Sequence, residues 1–115
     1  MMFTGVPNLA WVFGYFRASW TLRADLLGDF ICRLLQHMDA QGAQVVTPAL
    51  RSEDQDMALR PWVDPDNFNP GYLQRSVQRL PRQGDRQPWL HLQDYALDKE
   101  ELPRADLDDG TLRYA

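Results

Sequence analysis

Eight apolar residues, Leu22, Leu26, Leu27, Phe30, Ile31, Leu34, Leu35 and Met38, recur at steps that alternate between three and four. That spacing places them on one broad face of a single helix. A stripe so wide has to be covered, and it dictates the packing of whatever surrounds it. Ser19 or Thr21 stands where an N-cap is wanted and Gly42 where a left-handed residue closes a helix, so the spacing predicts a helix within Ala18–Gly42. Just ahead of it, Leu9-Ala-Trp-Val-Phe13 is an apolar, β-prone run bounded by Gly5-Val-Pro-Asn8 and by Gly14. This predicts a strand, a short loop and then the long helix. Met1-Met-Phe3 reads as the end of an earlier strand, with Pro7 and Asn8 supplying turn chemistry for a small hairpin.

After Gly42, Ala43-Gln-Val-Val-Thr47 is a short apolar piece stopped by Pro48, and Leu50 to Asp66 is rich in charge, Pro and Asp without periodicity. Such a stretch reads as a surface connection. Asn69 as N-cap and Pro70 in the first helical position predict a second helix carrying Tyr72, Leu73, Ser76, Val77 and Leu80. Pro81 to Pro88 forms a loop, and Trp89 to Tyr95 alternates weakly, as a strand would. Asp98-Lys-Glu-Glu101 has capping-box spacing for one helical turn, and Asp108-Asp-Gly110 turns the chain into a short extended tail. The fold class expected is α+β: a small β-hairpin, a long amphipathic helix and a second shorter one, arranged as the end of a domain rather than a complete fold. Three stretches follow: residues 1–47 as a strand-turn-helix, 48–70 as a linker, and 71–115 as a helix with an irregular tail. Trp62 and Trp89 are expected to cover edges of this unit.

Several function classes are excluded by the residues themselves. A net charge of -4, with Lys99 the only lysine and arginines scattered among acids, argues against nucleic-acid binding. Cys32, His37 and His91 are each isolated from other ligand types at useful spacing, so no metal site is expected. Cys32, in mid-helix, reads as an inert core thiol and His37 as a surface group near the helix end. Arg75 and Arg79 read as a solvated helix face. No apolar run approaches the ~20 residues that span a bilayer, and the chain reads as cytoplasmic. Neither the dinucleotide nor the P-loop glycine pattern is present.

One chemical feature survives. A helix that begins directly after a turn presents unpaired backbone N–H groups, here those of Trp20, Thr21 and Leu22, to an anionic or electron-rich group in front of it.

The runs Met1 to Tyr15, Ala18-Ser-Trp-Thr-Leu22, Cys32-Arg-Leu-Leu35 and His37-Met-Asp39 closely resemble a segment late in Baeyer-Villiger-type flavin-containing monooxygenases. Gly71-Tyr-Leu-Gln-Arg75, Leu80-Pro-Arg-Gln-Gly84 and Pro88-Trp89 are similar to the C-terminal region of the same family, in the same order. Phe16-Arg17 and the tail after Tyr95 depart from it. The resemblance implies the C-terminal part of a longer FAD- and NADPH-dependent enzyme that oxygenates ketones or sulfur and nitrogen centres, inactive as an isolated chain and binding no cofactor alone. It further implies that Ser19, Trp20, Thr21 and Leu22 lie beside the flavin, with Asn8 shaping the preceding turn, and assigns no general acid or base. The partner implied is the missing N-terminal FAD/NADP-binding portion, or a second copy. The rival expectation is a small interaction module that docks through its apolar helix face.

Overall fold

A computed structural model describes residues 2–66, 68 and 70–115. In chain order its elements are α1 (Trp20–Gln41), β1 (Val46–Pro48), β2 (Arg60–Pro61), α2 (Gly71–Ser76), β3 (Arg82–Gln83), α3 (Tyr95–Glu101) and β4 (Leu112–Tyr114), with short 3-10 turns between and after them. The α+β class is the one observed. The chain divides into two compact units, one formed by residues up to Ser52 together with Gln93–Ala115, the other by Glu53–Leu92.

In the first unit α1 fills nearly the whole span that its apolar spacing predicts. Gly42 adopts the left-handed conformation at its end, with φ 69°. The Gly42 N–H donates to Asp39 O and the Ala43 N–H to Met38 O, the paired bonds that satisfy the last carbonyls of a helix. Met38 packs with Val46, Leu107 and Leu112 into a small core, flanked by Phe30, Leu34, Ala43 and Tyr114. β1 pairs antiparallel with β4, Val46 opposite Tyr114 and Pro48 opposite Leu112. On β1's other side, Gly5 N–H donates to Pro48 O and Asn8 N–H to Val46 O. Asn8 sits at φ 53°, and its side-chain amide donates to Gln44 O and accepts from Val46 N–H. The left-handed tolerance expected of Asn8 is thus used to seat the N-terminal arm along β1.

The expected N-terminal hairpin is absent among the described residues: strand pairing joins residues 46–48 to 112–114, and Leu9–Phe13 takes no strand partner. Its aromatics turn instead to one another. Phe3 stacks on Trp11 at 5.2 Å, Trp11 meets Phe13 at 5.7 Å, and Phe13 meets Phe16 and Trp20, each at 5.4 Å. The apolar stripe is covered only in part. Leu27 and Met38 are buried, while Leu35 is 53% exposed. Cys32 is exposed rather than a core thiol, because its position falls at the edge of the stripe away from Met38. α3 begins three residues before Asp98: Asp94 is its cap, accepting the Leu97 N–H at 3.1 Å. Arg33 holds the end of this region, donating to the carbonyls of Leu102, Pro103 and Ala105.

The second unit is built on polar side chains as much as apolar ones. β2 pairs with β3, and the buried Gln83 amide donates to Pro61 O and Trp62 O while accepting the His91 N–H. His91 is buried, stacked on Trp62 at 4.0 Å, with Nδ1 bonded to Trp62 O. Trp62 is therefore interior to this unit and not an edge cover. Trp89 donates its indole N–H to Asp54, which is fully buried. A Cβ at Gly84 would stand 2.1 Å from Met57 Sδ, so this position admits only glycine without displacement. No strand forms over residues 89–95 among the described residues. α2 starts at Gly71 with Pro70 at the cap position, and the Asn69 cap expected ahead of it lies outside the described residues.

Candidate functional site

The start of α1 carries four of the five residues expected beside a cofactor. Ser19 holds the N-cap position with extended backbone, φ -61° and ψ 135°, yet its side chain caps no backbone N–H. The Ser19 hydroxyl instead meets the Thr21 hydroxyl at 2.8 Å. Both prefer each other to the backbone, so the expected side-chain cap is not made. Leu22 N–H is satisfied by Ser19 O at 3.3 Å, which removes it from the set of open donors. Among the described residues the N–H groups of Trp20 and Thr21 have no acceptor. No acidic side chain lies in the first turn, so the positive end of the helix dipole is unopposed locally. Trp20 is 48% exposed, its ring resting on Gly14, where a Cβ would stand 2.4 Å from Trp20 Cγ. Asn8 is held elsewhere, on the edge of β1, and its hydrogen bonds go to Gln44 and Val46.

What fixes this helix start was not anticipated from sequence. The Gln93 side-chain amide accepts the Phe16 N–H at 2.8 Å and donates to Gly14 O at 3.3 Å, bridging the backbone just before α1. The fourth residue of α1, Arg23, is 4% exposed and pairs with Asp98 of α3. Tyr15 donates its phenol to the same Asp98 oxygen, and the Arg23 guanidinium lies 4.1 Å from the centre of the Tyr15 ring. Burial, then the hydrogen bond to Asp98, pushes the Tyr15 phenol up to about 12. The signal available was Arg23 itself, a charge four residues before Leu27 on the buried face of α1. A cation in that register demands a buried partner.

The arrangement can receive an electron-rich or anionic edge at the N–H groups of Trp20 and Thr21, beside an aromatic ledge. It offers no nucleophile paired with a base. Among the described residues no group of three or more His, Cys, Asp or Glu could hold a metal ion. No helix there is long and apolar enough to cross a membrane.

Comparison with known proteins shows what the chain is similar to. The chain is 44% identical over all its 115 residues to the FAD-containing monooxygenase EthA of Mycobacterium tuberculosis, covering 22% of that protein. The chain is homologous to the C-terminal part of FAD-containing monooxygenases. The chain is 43% identical over 114 residues to the FAD-containing monooxygenase EthA of Mycolicibacterium smegmatis, with 99% of the chain and 22% of that protein covered. It is 39% identical over 114 residues to AlmA of Acinetobacter baylyi, named as a probable FAD-binding monooxygenase, with the same coverage. The similarity runs through the tail after Tyr95, which the motifs alone had left out. The segment spans 22% of the length of these curated relatives. No family model matches the chain, and no solved structure matches it.

Proposed function

We propose that this chain serves as the C-terminal part of an FAD- and NADPH-dependent monooxygenase of Baeyer-Villiger type, oxygenating ketones or sulfur and nitrogen centres, and that it is inactive by itself. The observation that carries this is the similarity along the entire chain to one segment of FAD-containing monooxygenases. The geometry suits it. When bound, FAD supplies hydride acceptance from NADPH and activation of dioxygen. This chain's part is to place the N–H groups of Trp20 and Thr21 against the flavin, where they stabilise negative charge, with Ser19 and Leu22 shaping the turn. Each such interaction contributes ~0.3–1 kcal/mol when exposed and up to ~2 when partly buried. Asn8 acts further back, seating the arm that leads to this turn. Without a glycine-rich phosphate loop, the chain leaves FAD's phosphates to the portion upstream, its partner, in the cytoplasm.

The experiment is a chimera in which this chain replaces the matching segment of M. tuberculosis EthA. The chimera is expected to purify with FAD and to oxidise NADPH, and the isolated chain to do neither. A chain that retains FAD and oxidises NADPH alone overturns the inactive-segment reading, and a folded chimera without FAD overturns the family role. Leu35, exposed within the helix stripe, favours one other reading, a docking module. A monodisperse dimer of the isolated chain in light scattering would support that instead.

A further inference from the structure

The run from Asn67 to Gly84 carries three arginines, Arg75, Arg79 and Arg82, and not one acidic residue, in a chain whose net charge is -4. Acids resume at once on either side, with Asp66 before it and Asp85 after. A local excess of one sign against the opposite overall balance marks where a partner of the other sign is received.

The fold leaves these cations to solvent. No residue of α2, or of the 3-10 turn Val77–Arg79 that follows it, is buried. Arg75, Arg79 and Arg82 are exposed, and none of them pairs with a carboxylate among the described residues. Elsewhere Arg23, Arg51 and Arg86 each find one. Arg82 donates to Leu59 O, and Arg75 lies back over Gly71, its guanidinium 3.3 Å from where a Cβ would stand. Apolar groups are interleaved with the cations: Tyr72 is 58% exposed, Val77 38%, and Leu59, beside Arg82, 58%. Tyr72, Arg75 and Arg79 recur at steps of three and four. An aromatic ring and two guanidinium groups therefore share one side of this helical stretch.

Two properties of the surface select its partner. Its cations are all arginine, whose planar fork matches phosphate oxygens. Its exposed Tyr and Val suit a boundary where phosphate groups border hydrocarbon, because the apolar side chains enter while the cations stay at headgroup level. A soluble acidic polypeptide satisfies the cations and leaves the apolar groups wet. We infer that α2 and the turn after it lie on a bilayer surface rich in anionic phospholipid and hold this unit there peripherally. The inference goes beyond the monooxygenase reading and does not depend on it.

Sedimentation of the chain with phosphatidylcholine vesicles, plain or carrying about one-third phosphatidylglycerol, tests this. The chain is expected to bind only the anionic vesicles and to leave them as salt rises from about 0.1 to about 0.5 M. Arg75→Gln with Arg79→Gln should weaken binding at least about tenfold, since each cation near an anionic surface contributes about fivefold. Tyr72→Ser should weaken it as well. Lys99→Gln with Arg104→Gln removes the same charge from exposed positions of the other unit and should change binding little. Thermal melts of both double variants should match the natural chain, since none of the four side chains forms an ion pair among the described residues. The salt response of the natural chain needs no variant. Equal binding to plain vesicles, or equal losses in the two double variants, overturns the inference. Displacement by polyglutamate at matched charge overturns it in favour of an acidic polypeptide. An EthA chimera that ignores vesicles bound by the isolated chain shows the patch covered by the upstream portion and overturns it too. Loss of FAD from the chimera bears on the monooxygenase reading alone.

Discussion

Arg23, buried within α1, is neutralised by Asp98 of α3, and the same carboxylate oxygen receives the Tyr15 phenol. Breaking one side of a buried pair leaves an uncompensated charge, whereas replacing both sides with apolar groups is often nearly neutral. Asp98→Ala should therefore destabilise the first unit by about 3–5 kcal/mol. The double variant Arg23→Met, Asp98→Leu should recover most of that loss. Urea unfolding followed by circular dichroism measures both, and equal losses in the single and double variants would refute the account.

Tyr15 gives the same cluster a signature in pH. Its phenol is raised from 10.0 to about 12, chiefly by burial. The folded state thus holds this proton more tightly than the unfolded chain does. The contribution is fully present below pH 10.0 and is lost as pH rises through about 12. Stability should fall across that window in the natural chain, and Tyr15→Phe should flatten the fall. Ultraviolet titration should show a tyrosine ionising late, and Tyr15→Phe should remove the part that reaches about 12, leaving that of Tyr114, which burial also raises.

The backbone ahead of α1 depends on two contacts that can be cut separately. Gln93→Ala removes the acceptor for Phe16 N–H and the donor to Gly14 O, at a cost of about 1–3 kcal/mol. Gly14→Ala drives a methyl into the Trp20 indole, costing a similar ~1–3 kcal/mol by overpacking. Only the second should displace the indole directly. Its tryptophan emission should shift at temperatures well below the melt, whereas Gln93→Ala should chiefly speed exchange of the Phe16 amide.

Ser19 occupies an N-cap without acting as one, because its hydroxyl is spent on Thr21. An N-cap serine usually costs ~1 kcal/mol when truncated. Here Ser19→Ala should change the stability of the isolated chain by less than about 0.5 kcal/mol. Thermal melts of the two chains decide it, and a full capping penalty would show that the serine reaches the backbone in solution.

The readable parts of this fold are those whose cause is local. α1 could be placed from the period of its apolar residues, and Gly42 from the need for a left-handed residue at its end. The tail was legible as an extended piece, but not its pairing with β1, which depends on contacts between distant stretches. Leu9–Phe13 shows the opposite failure: β propensity was read correctly as a property of the residues, but a strand exists only when another edge accepts it. Cys32 was misplaced because periodicity gives the direction of a stripe and not how far the rest of the chain extends over it. At the candidate site, the helix start at Ser19 through Leu22 follows from residue order, whereas its placement beside a flavin comes only from the family resemblance. Tyr15, Gln93 and Asp98 were not found, since the bonds joining them span most of the chain. Only Arg23, a charge out of keeping with its neighbours, announced that such a partner must exist.

The first unit closes on β4, and the core partners of Met38 include Leu107 and Leu112. During synthesis α1 emerges from the ribosome long before these residues are made, and the whole of Glu53–Leu92 is translated in between. The part of its apolar stripe around Met38 therefore waits, uncovered, until Leu107 and Leu112 have been made. A nascent chain stalled before Leu107 would display that stripe to chaperones, and a stop codon that early would leave a helix with nothing to fold against.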